Sequence, residues 1–346
     1  MKIIVDAMGG DFAPRSTVEG ALMACRELGS EVVLVGRSED ILAALRECGE
    51  EKLPLNMEIR HATEVIEICD DPATAFKQKK DSSMTVGLNM LKNGEGDAFV
   101  SAGSTGALLS AATLLVKRVR GIRRAAMAPV IPTAGGKAVL IDCGANAECT
   151  VEYLLQFAFM GSYYASNALK IPDPRVGLLN IGAEPSKGDE LRRETYQKLK
   201  EAHEAGQINF IGNIESKEAV LGGADVIVAD GFSGNVMLKC IEGVGTFMGR
   251  EVKKMFMADL KGKIAGLMMR KNFKAFKALL DPNQVGGTPF LGISAPVIKA
   301  HGSSNALAIR NAIRQAEDFA RSGMIADIEE NIDLMRIKPE KTEDPA

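Results

Sequence analysis

Short, continuously apolar runs alternate along this chain with segments whose apolar residues recur at helical spacing. The runs fall at 3–5, 32–35, 57–60, 98–101, 126–131, 137–141, 176–180, 208–211 and 226–229. A strand covered on both faces of a parallel sheet has no polar side, so it reads as uninterrupted Val, Ile and Leu. Helical patterns lie between the runs at 16–29, 38–48, 83–93, 107–117, 152–169, 189–203 and 216–221. Strand and helix in turn, joined by short glycine-bearing links, predict a doubly wound α/β fold of three layers around a mostly parallel sheet. A length of 346 residues suits one such domain, with a division into two lobes as the alternative. Residues 338–346 are polar and read as a tail.

Seven Gly-, Ser- or Asn-bearing turns punctuate the pattern, most of them directly after an apolar run: DAMGGD (6–11), SAGSTG (101–106), DCGAN (142–146), NIGAEPSKG (180–188), DGFSGN (230–235), GGT (286–288) and HGSSN (301–305). In an open α/β sheet, turns at the carboxyl ends of strands converge on a crevice. Glycine lets backbone N–H groups approach a ligand, and helix N-termini there favour an anion. Each turn alone is equally a plain βα connection; the set of them predicts a phosphate site.

Residues 245–281 break the rhythm and read as two helices parted near 261–263. Between 249 and 280 stand nine cations and two anions, whereas the whole chain carries −3. Val252, Met255, Phe256, Leu260, Ile264, Leu267 and Met268 recur opposite the basic residues. Such a segment can lie in a membrane interface, dock an acidic carrier protein, or pair with its twin in a dimer. A plain surface helix with its apolar stripe on the domain's own core is the structural alternative.

Composition narrows the classes further. The mild negative charge argues against general nucleic-acid binding. Six scattered cysteines without a C-x-x-C pair, and no recognisable signal peptide, fit a reducing cytoplasm. No uncharged apolar stretch reaches the roughly 18 residues that a membrane span needs. No P-loop or G-x-G-x-x-G fingerprint follows the first strand, and His61, His203 and His301 are not spaced for a metal. The Ser104 turn approaches a nucleophile elbow but has Ala102 for its first glycine, and only His301 is available to orient that serine. Cys143 and Cys149 are conceivable acyl carriers, although small cysteines beside strands are usually core.

Phosphate is already anionic at neutral pH and needs no strong base. A thiol leaving group, with a pKa of about 8.5, departs from a thioester without much acid assistance. What remains is to hold two partners together and stabilise a tetrahedral oxyanion, for which backbone amides, one lysine and one asparagine suffice. Lys187 and Asn235 fit those two roles, with an exposed loop lysine and a helix N-cap as their structural alternatives. Asp6, Gly9, Gly10, Ser104, Thr105 and Asn146 are expected to line the cleft, and no metal or cofactor is called for.

The blocks MKIIVDAMGGDFAP, SAGSTGALL, IDCGAN, NIGAEPSKG and DGFSGNVMLK, in this order, resemble the bacterial phosphate acyltransferase family of phospholipid synthesis, PlsX. The likeness runs from residue 1 to about 335. It implies conversion of acyl-[acyl carrier protein] and orthophosphate into acyl phosphate and free carrier, for use by a membrane-bound glycerol-phosphate acyltransferase. It further implies a fold similar to isocitrate/isopropylmalate dehydrogenases and phosphotransacetylases, and a cytoplasmic homodimer attached peripherally to membrane through 245–281. The family's active-site lysine and asparagine correspond to Lys187 and Asn235. An NAD-dependent oxidoreductase on the related fold, or a non-catalytic scaffold binding membrane and acyl carrier protein, are the competing expectations.

Overall fold

The computed structural model describes residues 1–280 and 286–337, with the backbone alone at 277–280. The tail at 338–346 and residue 281 of the basic segment lie outside the described residues.

The apolar runs form two sheets rather than one. The first holds seven strands in the order β3 (Met57–His61), β2 (Glu31–Gly36), β1 (Lys2–Asp6), β4 (Ala98–Ser101), β12 (Val297–Ala300), β11 (Gly287–Leu291), β5 (Ala126–Met127). The second has five, in the order β6 (Val130–Thr133), β7 (Gly136–Ile141), β10 (Val226–Val228), β8 (Arg175–Leu179), β9 (Asn209–Ile214). Pairing is parallel except where β11 runs against β12 and β5, and where β6 folds back on β7. The interior strands are buried from end to end, as their lack of polar alternation requires: Ile3, Ile4 and Val5 of β1 are at most 1% exposed.

The helices are α1 (Arg15–Glu27), α2 (Ser38–Glu47), α3 (Ala75–Gln78), α4 (Ser83–Lys92), α5 (Thr105–Ala111), α6 (Val151–Tyr163), α7 (Glu190–Glu204), α8 (Ser216–Val220), α9 (Gly231–Met257), α10 (Leu260–Met268), α11 (Arg270–Leu280), α12 (Ala306–Arg321) and α13 (Met324–Glu330). They cover both sheets on both faces, the doubly wound α/β arrangement. One core is common to the two sheets, with α1, α6 and α12 packed in it through residues such as Leu22, Phe157 and Ile313. Separate cores lie under α4 and α5 on the first sheet and under α8 and the start of α9 on the second.

Three sequence expectations need correction. The run 126–131 is two strands in different sheets, because Pro129 has no N–H to carry one ladder through. Two strands, β11 and β12, were not expected; Gly287 and Pro289 mask the first, and Lys299 interrupts the second. The basic segment is the end of one long helix and two more, with its break at Ala258–Asp259 instead of 261–263. Asp259 caps α10 by accepting the Gly262 N–H at 2.6 Å, so Gly262 sits in a first helical turn.

Strand order locates the crevices. The chain leaves β1 for β2 on one side, while β4 lies on the other; β8 leads outward to β9, while β10 returns on its inner side. The turns after β1 and β4, and those after β8 and β10, therefore flank topological switch points.

Candidate active site

At the first switch point three of the turns lock together. Asp6 ends β1, is 2% exposed, and accepts the Ser101 hydroxyl at 2.6 Å and the Met8 N–H at 3.2 Å. Burial pushes its carboxyl above the usual carboxylate range, while hydrogen bonds from Ser101, Ser83, Met8 and Gly9 oppose the rise. Gly9 is where the 6–11 turn crosses the 101–106 turn: an added Cβ would lie 2.6 Å from Asp6 Oδ2 and 2.7 Å from the Gly103 nitrogen. Asp11 donates its N–H to Gly302 at 2.8 Å, which brings in the 301–305 turn. Ser104 and Thr105 start α5 and are partly exposed, and neither hydroxyl is hydrogen-bonded among the described residues.

The second group gathers at the end of the other sheet. Asp142 is fully buried, and burial raises its pKa. Its Oδ1 accepts the Met127 N–H at 2.9 Å, and its Oδ2 accepts the Asn146 N–H and side-chain amide at 2.6 and 2.9 Å. The Asn146 amide also donates to Ala125 at 2.8 Å, so this side chain holds its own turn. Gly231 donates to the Asn146 carbonyl at 2.8 Å and seats α9 on that turn. Asp230, not Asn235, is the N-cap of α9, accepting the Ser233 N–H at 2.8 Å. Arg192 of α7 joins Asp189 at 2.6 Å and also Asp230, tying the turn that carries Lys187 to the helix that carries Asn235.

Lys187 and Asn235 are both exposed, and neither side chain has a polar partner among the described residues. Asn235 lies over the 142–146 turn, its Cγ 3.7 Å from where a Cβ on Gly144 would stand. Asn180 fixes the 180–188 turn from within, donating to the Lys187 carbonyl at 3.1 Å.

The expected residues thus fall into two sets, Asp6, Gly9, Gly10, Ser104 and Thr105 in one, and Asn146, Lys187 and Asn235 in the other. Among the described residues no hydrogen bond joins the turns of one set to those of the other. The 286–288 turn joins neither: Gly286 packs on the α12 backbone at Asn311 and Ala312. Sequence reasoning missed Arg192 and Lys299. The signal for Lys299 was a single cation inside an apolar run leading into a Gly-Ser turn.

An apolar groove of about 1120 Å³ runs beside the second set: Gly188, next to Lys187, and Val236, next to Asn235, line it, while Asn146, Lys187 and Asn235 themselves do not. Asn180, Gly188, Asp189, Arg192 and Ser233 form its polar end, and Leu179, Val220, Val236, Ile241, Met248 and Phe276 carry it along α9. A nucleophilic side chain finds little support. Burial pushes Cys149 up to about 12 and Cys143 well above the usual thiol value, where thiolate is scarce. His301 bonds Ser303 at 2.8 Å and does not orient Ser104.

A family model described as "Fatty acid synthesis protein" matches residues 1–327. The protein named phosphate acyltransferase of Thermoanaerobacterium thermosaccharolyticum is 42% identical over 335 residues, which is 97% of this chain and 98% of that one. The like-named protein of Clostridium kluyveri is 45% identical over 316 residues, covering 91% and 93%. The chain belongs to the phosphate acyltransferase family. As a member it is an acyltransferase, and its chemistry is acyl transfer with phosphate. Among solved structures it is similar to a phosphotransacetylase from Streptococcus pyogenes, with TM-score 0.61, 18% identity, and 92% and 94% of the two chains covered. A 4-hydroxythreonine-4-phosphate dehydrogenase from Klebsiella pneumoniae is similar at TM-score 0.54, 12% identity, and 93% and 99% coverage. At these identities the likeness concerns the fold shared by phosphate acyltransferases with transacylases and dehydrogenases.

Proposed function

We propose that this phosphate acyltransferase moves a fatty acyl group from the thioester of acyl carrier protein to orthophosphate, releasing acyl phosphate and free carrier. A phosphate oxygen attacks the thioester carbonyl, the new C–O bond forms, and the C–S bond breaks to release the carrier's thiolate, which takes a proton from solvent. Phosphate is already an anion and the thiol is a good leaving group, so the protein's task is positioning and charge stabilisation.

The observation that carries this reading is the apolar groove with a polar mouth. Its volume of about 1120 Å³ slightly exceeds the roughly 300–1,000 Å³ of ordinary small-molecule sites. It suits a long acyl chain whose reactive end lies at Asn180, Arg192 and Ser233. Lys187, adjacent in sequence to Gly188 of that mouth and without a polar side-chain partner among the described residues, holds phosphate or the developing oxyanion, and Asn235 orients the acyl carbonyl. Asp6, Gly9, Gly10, Ser104 and Thr105 line the phosphate side, and Asn146 acts by holding its turn.

The segment from α9 to α11 supports peripheral attachment to an anionic lipid surface, with two copies pairing as a homodimer. Its apolar residues are turned outward: Leu260, Leu267 and Met268 are 74%, 71% and 83% exposed. No helix among the described residues is long and apolar enough to cross a membrane. From a membrane surface the acyl phosphate would pass to a membrane-bound glycerol-phosphate acyltransferase.

The test is hydroxylamine trapping of acyl phosphate from acyl carrier protein substrate. Enzyme-dependent hydroxamate, above the direct reaction of hydroxylamine with the thioester, should form only when phosphate is present. An enzyme-dependent excess that is independent of phosphate would overturn the reading, and an acylated Ser or Cys found by mass spectrometry would overturn direct attack.

A further inference from the structure

Lys299 sits in β12, paired with Ser101 of β4 on one side and Thr288 of β11 on the other. The strand is covered on both faces and Lys299 is 7% exposed, a costly place for an ammonium. Its Nζ donates to the carbonyls of Ala102, at 3.4 Å, and of Ala300. Those two carbonyls end neighbouring parallel strands, where the 101–106 and 301–305 turns begin. The ammonium therefore staples both turns from beneath.

Its charge is not consumed by a carboxylate. Asp6 takes its hydrogen bonds from Ser101 and the Met8 N–H, and no ion pair to Lys299 exists among the described residues. Asp11 stands beside the 301–305 turn, its carboxylate 3.5 Å from where a Cβ on Gly302 would be. Two acidic residues over this cluster would repel a phosphate dianion, so a site for one there requires a compensating cation close by. Lys299 is the cation that the fold buries at that point.

We infer that Lys299 is the positioning residue of a phosphate site at the 6–11, 101–106 and 301–305 turns, holding two of them in register and supplying the buried positive charge that the anion requires. The inference rests on the reading that phosphate binds on this side of the molecule. Burial pulls the Lys299 ammonium down to about 8, and Asp6 and Asp11, the charges acting on it, work against that fall. Its protonation is thus open to change around pH 8, over a range in which inorganic phosphate only becomes more fully dianionic.

Calorimetric binding of inorganic phosphate tests the inference without turnover. With the wild-type protein, Kd should change by less than about twofold from pH 7 to 8, where phosphate completes its own ionisation, and then weaken, approaching about tenfold per pH unit as the free enzyme's ammonium loses its proton. A Lys299→Met variant should bind at least about tenfold more weakly at pH 7 and show no such limb. If that variant does not fold, the wild-type profile alone decides. A flat wild-type profile to pH 9.5, absent phosphate binding, or a folded variant with wild-type affinity each overturns the role of Lys299. The transferase reading is judged apart from these, by the phosphate dependence of hydroxamate formation.

Discussion

Lys187 carries its ammonium on an exposed turn with no polar partner among the described residues. Removing it should subtract function and little stability. Lys187→Ala is expected to lower turnover at least about tenfold, a modest loss for a group that stabilises an oxyanion, with the unfolding midpoint unchanged. Wild-type turnover in steady-state assays would remove it from the mechanism. Arg192 predicts the opposite balance. Its side chain is 16% exposed and that of Asp230 only 9%. Arg192→Met strands that carboxylate and should cost about 3 kcal/mol in urea unfolding, because a buried partner is lost. Lys187, Asn235 and Asp6 were legible in the sequence because each stands in a glycine turn after an apolar run. Arg192 was not, since it looks like any helix arginine until α7 is laid beside Asp230, 38 residues onward. Lys299 was hidden for a related reason: its burial comes from strands far away in sequence.

At the scale of elements, α9 depends on how closely its first turn meets the 142–146 turn. A Cβ on Gly234 would collide with the Asp142 carbonyl oxygen, which is backbone and cannot swing aside. Gly234→Ala should therefore lift the start of α9, moving Asn235 and the groove together. The expected result is a loss of turnover of about tenfold or more, from misplacement of the order of 1 Å, and a lowered melting temperature. Unchanged turnover and melting in this variant would show that α9 can shift without consequence. Strands such as β1 and β7 were readable because burial on both faces leaves them uniformly apolar. The division between β5 and β6 was not, since neighbouring residues there pair in different sheets, and sequence carries no mark of which sheet a strand joins. The alternative of a stripe packed on the domain's own core fails for α10, which contributes no buried residue.

For the whole molecule, charge and exposure point the same way. Nine cations against two anions lie between residues 249 and 280 of a chain whose total is −3. The outward apolar residues there occupy helices that pack chiefly on one another, including Phe256 against Phe273 with ring centroids 5.9 Å apart. A double neutralisation, Lys261→Gln with Lys263→Gln, removes about 2 kcal/mol of attraction to anionic vesicles, or roughly thirtyfold in partitioning. Sedimentation with anionic liposomes should show that loss, while turnover with soluble substrate stays within about twofold. Vesicle binding equal to the wild type would end the lipid reading and leave an acidic carrier protein or a second copy of the chain as the partner for this surface.

The passage from one sheet to the other at residues 128 and 129 has a mechanical consequence. Ala128 donates its N–H to Pro289 of the first sheet, and the carbonyl of Pro129 accepts from Leu140 of the second. The boundary therefore falls within a single peptide link. Proline lacks free rotation about its N–Cα bond, and it confines the residue before it to extended conformations. At this crossing the two sheets are joined almost without slack, so the spacing of the turns at their ends is set by the backbone itself.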